Sequence, residues 1–274
     1  MAPHADPTAA AGPGPTAEPT WAVFSKPWAP LAPDPLGALL AGLGFGGAEV
    51  PVRPGAYVTP ETAADLLPDF VRTLARHGVR VISVAADPLE PVFAACADAG
   101  VPLIRTMAPV GPDGYLASVR RLRRDWADAQ RWSDRYGVRV GVQPHHGRYV
   151  ESTLGVLGLI EDLPGFDLVW DAAHDALTGV DPVRSLELAR PRLGLVNLKN
   201  AHYRRVPAPG PGEPRFRPWF GPAETGMADW ARILGHLRET GWTAPVCLTA
   251  EYTDATTPEQ KAALVGADLE LARG

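Results

Sequence analysis

Four places in this 274-residue sequence gather side chains that can exchange protons, hold a cation or steady an oxyanion. Gln143, His145 and His146 follow the apolar run Val138–Val142; Asp171 and His174 follow Phe166–Trp170; Asn197, Lys199 and Asn200 close Gly194–Leu198; Thr249 and Glu251 follow Val246–Leu248. Imidazole and carboxylate are the ordinary bases of proton transfer, and an ammonium or amide can hold the developing negative oxygen. His145, His174 and Glu251 are therefore candidate bases, and Lys199 and Asn197 candidate oxyanion partners. Structural alternatives stand beside each of these. Asp171 can cap a helix, His145 and His174 can bond to loop backbone, and Lys199 can simply pair with a carboxylate. His146 and His202 are expected as solvated loop residues, and the Arg120, Arg121, Arg123, Arg124 run as a solvated helix face.

Such groups act together only if the chain brings them to one opening. From Trp21 onward eight short apolar runs are readable: Trp21–Ser25, Gly47–Val52, Val79–Ala85, Val101–Arg105, Val138–Val142, Phe166–Asp171, Gly194–Leu198 and Val246–Ala250. Their starts recur every 22 to 37 residues, with one final gap of 52, and a βα unit needs about 30. Helical stretches lie between them. Asp34 is expected to cap Leu36–Leu43, Thr59 with Pro60 to open a helix reaching His77, and Pro68 to kink or split it. Tyr115–Tyr136 carries an apolar stripe at spacings of three and four, closed by Gly137. Thr257-Pro-Glu-Gln is a capping box for the last helix. Near-continuous apolar strands are covered on both faces, so the sheet is parallel. Eight such units predict one closed (β/α)8 TIM barrel over residues 21–274, behind a disordered Pro/Ala-rich tail over residues 1–20. A doubly wound open sheet is the rival, and it lacks its G-x-G-x-x-G loop.

In a barrel of this kind the C-terminal strand ends share one mouth. Lys26, Arg53 and Arg105 join the polar set there as substrate-binding candidates. Trp28, Trp170 and Trp219 offer flat apolar faces for a substrate, with packing in the barrel wall as the alternative. The Pro-rich segment Ala201–Gly226 is too long for a compact βα connection and reads as a lid or a poorly ordered insertion. Composition sets limits on partners. A net charge of −5 leaves no broad cationic surface for nucleic acid, and no apolar run is long enough for a membrane helix. Cys96 and Cys247 fit no disulfide scaffold or C-x-x-C site and are expected as packing residues in a reducing cytoplasm.

Gly141-Val-Gln-Pro-His-His-Gly-Arg-Tyr, Leu168-Val-Trp-Asp-Ala-Ala-His and Leu195-Val-Asn-Leu-Lys-Asn-Ala, with Phe45-Gly-Gly-Ala-Glu-Val-Pro-Val-Arg-Pro-Gly before them, resemble the xylose isomerase-like TIM barrels. That superfamily includes sugar phosphate isomerases and epimerases, a dehydratase and the type IV endonuclease. The resemblance implies proton transfer alpha to the carbonyl of a small polyhydroxylated substrate. Lyase or dehydratase chemistry and a metal-free binding or partner subunit are the alternatives, and an oligomer is compatible with any of them. Cleavage of abasic DNA is set aside on net charge. The family's epimerases are similar to one another in holding one divalent cation, Mn²⁺ or Mg²⁺, with Glu, Asp, His and Glu from the last four strands. Carried across, those positions are Gln143, Asp171, Asn197 and Thr249, and only the aspartate matches. Glu251, two residues beyond Thr249, can supply a second carboxylate, which leaves a weak site from Gln143, Asp171, Asn197 and Glu251, or no metal.

Overall fold

The structure, a computed structural model, describes residues 18–207, 210–211 and 215–274. The expected tail lies outside the described residues as far as residue 17. Thr20 already belongs to the barrel, its carbonyl accepting from the Val246 N–H at 3.0 Å.

Eight parallel strands close on themselves: β1 (Trp21–Phe24), β2 (Gly47–Pro51), β3 (Arg80–Ala85), β4 (Leu103–Met107), β5 (Arg139–Gln143), β6 (Phe166–Asp171), β7 (Leu193–Leu198) and, after an antiparallel hairpin, β10 (Val246–Leu248). The hairpin, β8 (Asn200–Arg205) with β9 (Phe216–Gly221), occupies the insertion predicted between the seventh barrel strand and its helix. Around the barrel lie α1 (Pro33–Gly42), α2 (Ala63–Arg76), α3 (Glu90–Ala99), α4 (Tyr115–Tyr136), α5 (Thr153–Leu159), α6 (Ala172–Leu177), α7 (Pro182–Ala189), α8 (Trp230–Glu239) and α9 (Pro258–Arg273). Among the described residues no helix is long and apolar enough to cross a membrane.

Strand alternation divides the apolar residues into two cores. Ala22, Phe24, Ile82, Leu103, Val169, Leu195 and Cys247 fill the barrel interior, while their strand neighbours pack outward against the helices. The interior is tight: a Cβ on Gly141 would come within 2.6 Å of Val169 Cγ2, so only glycine fits there. Cys96 and Cys247 are buried and unpaired, as expected of packing residues.

Most predicted boundaries hold within two residues, and three local expectations do not. Asp34 lies inside α1 and bonds His77 Nε2 at 2.9 Å instead of capping. The Thr59 N–H donates to Thr62 Oγ1 at 3.0 Å, a turn that delays α2 until Ala63. Pro68 neither splits nor ends α2, because Leu67, Phe70 and Leu74 are buried on one face and hold it across the missing backbone bond.

Candidate active site

Barrel register sets Gln143, Asp171 and Asn197 on adjacent strand ends, with Asp171 opposite Asn197 and Asn197 opposite Cys247 of β10. Two polar systems meet at this level. The first runs across β2, β3, β4, β5 and β6. Glu49 is wholly buried and receives Arg105 Nε on both carboxylate oxygens, at 2.8 and 2.9 Å, and Ser83 Oγ at 3.0 Å. Arg105 Nη1 donates to Gln143 Oε1 at 2.6 Å, and Gln143 Nε2 to Asp171 Oδ2 at 2.6 Å. Asp171 Oδ1 then accepts the backbone N–H groups of Ala173 and His174, both at 3.0 Å, capping α6. Burial alone would lower the Arg105 pKa, but Glu49 overrides it and holds the guanidinium charged. Burial pushes the Asp171 carboxyl up, against the pull of Lys199.

The second system uses loop residues beyond the strand ends. Lys199 Nζ donates to Glu251 Oε2 at 2.9 Å, lies 3.4 Å from His174 Nε2, and sits 4.1 Å from the centre of the Phe220 ring. Lys26 binds the other Glu251 oxygen. His174 Nδ1 is 3.1 Å from His146 Nδ1, and the His145 ring packs against that of His174 at 4.0 Å between ring centres, tilted by 45°. Ala250, a non-glycine residue at φ 51°, bends the chain between Thr249 and Glu251. The extended backbone assumed for that pair therefore stops at Leu248, yet both side chains still line the mouth.

Electrostatics separate the roles these groups can take. Burial, reinforced by the Lys199 charge, lowers His174 well below the usual imidazole value, and burial brings His145 down to about 4. His145 Nδ1 lies 2.7 Å from the His146 carbonyl, which can only accept, so the proton resides on Nδ1 and the lone pair on Nε2. For Glu251 burial works upward, but Lys199 and Lys26 prevail and hold it far below the usual carboxylate range. The amide of Asn197 is buried with neither its oxygen nor its nitrogen bonded. A chamber of about 60 Å³ is lined by His145, His174, Asn197, Lys199, Thr249 and Glu251 on one side and by Phe24, Lys26, Arg53, Arg105, Met107 and Gln143 on the other.

The three tryptophans are not part of it. Trp28 and Trp170 are buried in the layer between strands and helices, and the Trp170 indole N–H bonds Ser185 Oγ at 3.0 Å. Trp219 turns outward to Asp254 and Arg204, because alternation along β9 gives the inward place to its neighbour Phe220. His146, expected as solvated, is instead half-buried against His174. Glu49, Phe220 and Met107 were not anticipated. A lone carboxylate inside an apolar parallel strand must be paired, and that was the available sign for Glu49.

The expected metal positions, Gln143, Asp171, Asn197 and Glu251, do not fit a hard divalent cation. Gln143 is committed to Arg105 and Asp171, Glu251 to two lysines, and Asp171 accepts three hydrogen bonds. A hard ion at these positions would rely on one uncommitted amide, Asn197, in a field set by Arg105 and Lys199. Imidazoles are the alternative: ligand nitrogens of His145, His146 and His174 lie within 4.8 Å of one another, a donor set suited to a borderline ion such as zinc rather than Mg²⁺ or Mn²⁺.

Known proteins share this architecture. The structure superposes on a 3-keto-D-glucoside 4-epimerase from E. coli with a TM-score of 0.71 at 15% identity, covering 93% of this chain and 99% of that one. A D-psicose 3-epimerase gives 0.70 at 11%, covering 93% and 98%, and a probable 3-DHS dehydratase from Bacillus anthracis 0.68 at 14%, covering 93% and 99%. At such identities the likeness is one of fold. No curated protein matches in sequence. The profile of the xylose isomerase-like TIM barrel matches residues 38–273, and the chain belongs to that family.

Proposed function

We propose that the protein is an isomerase- or epimerase-like enzyme that moves a proton alpha to the carbonyl of a small polyhydroxylated substrate. The observation that carries this reading is a neutral imidazole and a lysine ammonium lining the same chamber, His145 with its Nε2 lone pair and Lys199 within reach of His174. His145 takes the proton. Lys199 holds the oxygen on which charge develops, and Asn197, with an amide free to donate and accept, orients a substrate carbonyl or hydroxyl. His174 and His146 extend a hydrogen-bonded line from Lys199 that can return the proton on the far side of the carbon. Glu251, held charged by two lysines, is a counter-ion and a poor base. A base with so low a pKa needs a strongly polarised carbonyl, which a chamber rimmed by Lys26, Arg53, Arg105 and Lys199 favours. Elimination begins with the same proton removal, so a dehydratase belongs within this proposal.

Deuterium from solvent entering a ketose or keto-acid tests it. Incorporation that is lost in His145→Gln supports the reading, and no incorporation across a panel of neutral and acidic candidates rejects it. That Gln143 and Thr249 stand where the family's epimerases hold two glutamates favours a second reading, a binding or partner subunit. Thermal stabilisation by a ligand without any exchange into that ligand would select it.

A further inference from the structure

The mouth contains four cations, and three of them touch a carboxylate. Arg105 pairs with Glu49, while Lys26 and Lys199 share Glu251. Among the described residues Arg53 has no carboxylate within ion-pair distance. Its buried Nε has no partner, and the one hydrogen bond of its side chain, Nη2 to the Ala85 carbonyl, is stretched to 3.5 Å. Leaving a half-buried guanidinium unmet is unfavourable unless something else completes it, because a planar fork of donors is built to take a bidentate oxyanion.

Arg53 also stands where two cavities meet. It lines the inner chamber, about 60 Å³, and a wider cleft of about 310 Å³ bounded by Pro54, Asp87, Leu89, Thr106 and Tyr149. At roughly 10–15 Å³ for a water-sized occupant, the chamber admits only the reacting end of a sugar-sized molecule. The rest must pass Arg53 into the cleft. Arg105 lines both spaces as well, but Glu49 already neutralises it.

We infer that the substrate carries an oxyanion, a carboxylate or a phosphate, at the end remote from the reacting carbon, and that the Arg53 guanidinium receives it. Which end of the substrate is which rests on the proton-transfer reading; the anion site does not. The inference narrows the substrate class from polyhydroxylated carbonyl compounds to sugar acids or sugar phosphates.

Titration calorimetry at low ionic strength with D-gluconate, neutral D-glucitol and inorganic phosphate tests the site. D-Gluconate or phosphate should bind at least tenfold more tightly than D-glucitol, and Arg53→Gln should remove that preference while Arg53→Lys keeps part of it. Tighter binding of phosphate than of D-gluconate assigns a phosphate, and the reverse order a carboxylate. Equal affinity for D-gluconate and D-glucitol, an anion preference unchanged in Arg53→Gln, or no binding of any of the three overturns the inference. An anion preference without deuterium exchange into any candidate, neutral or acidic, would reject the proton-transfer reading alone. Exchange confined to neutral ketoses, with no anion preference, would leave that reading and reject this one.

Discussion

The two walls of the barrel mouth are built from similar residues and have opposite electrostatic states. On the β2–β4 wall, Glu49, Ser83 and Arg105 satisfy one another completely in a dry setting. On the β5–β10 wall, Asn197 is unbonded, two imidazoles are driven neutral beside an ammonium, and the backbone at Ala250 is strained. Saturated pairs add rigidity, whereas unmet donors and displaced pKa values mark where a ligand completes the site. The difference teaches that the Glu49–Ser83–Arg105 layer of the first wall is scaffold, with the unmet Arg53 left at its rim for a ligand, and that the second wall is chemistry.

Removing one partner from the saturated wall should have the largest effect. Glu49→Gln leaves Arg105 buried without its counter-charge, and urea unfolding should show a loss of about 3–5 kcal/mol. A loss under about 1 kcal/mol would mean that this wall is not the scaffold. Lys199→Met is the opposite case. Glu251 keeps Lys26, so stability should change by less than about 1 kcal/mol, while deuterium exchange falls by about 10²–10³. A variant that unfolds readily or exchanges normally would erase the distinction between the walls.

The sequence carried the architecture clearly and the site only by location. Apolar runs such as Arg80–Ala85 and Leu193–Leu198 are long enough to declare two-sided burial, and Gly137 and the Thr257 capping box mark helix ends locally. Such signals need no distant partner. His145, His174, Lys199 and Glu251 could be placed at one mouth because barrel topology collects strand ends there, whereas Asp171 does not line the chamber and is buried against Gln143 and the start of α6. What each would do was not legible. Whether Glu251 is a base or a counter-ion depends on Lys26, 225 positions away, and Trp219 differs from Phe220 only through the alternation of a strand that the run of prolines concealed. Pro68 misled because burial of the α2 face outweighs a local rule.

Acidity sharpens the comparison at an intermediate scale. A His145 pKa of about 4 puts its neutral form in place throughout the physiological range, so activity should stay level from pH 7 to about 5 and fall as pH approaches 4. An ordinary imidazole would lose activity near pH 6.5. Lys199→Met should move the acid limb upward, since it removes a charge that depresses His145. The sign for stability follows from the unfolded chain. Unfolded His145 and His174 take up protons below about pH 6.5 while the folded ones resist, so these residues lose their contribution as pH drops toward 4. Asp175, raised by burial to about 6, acts oppositely and loses its contribution as pH climbs from 3.8 to about 6. The two partly cancel in unfolding experiments, which makes the activity profile the sharper measurement.

The smallest effect should fall on Asn197. Its amide makes no protein hydrogen bond, so Asn197→Ala abolishes none, and thermal unfolding should move by less than about 1 kcal/mol in either direction. A scaffold amide would behave differently, because truncation would leave its former partners unsatisfied. If the unbonded amide instead waits for substrate, Asn197→Ala raises KM for the exchanged compound about tenfold, the worth of one neutral hydrogen bond, with a lesser change in kcat. A drop in stability with KM unchanged would assign Asn197 to the barrel, and the chemical wall would then begin at Lys199.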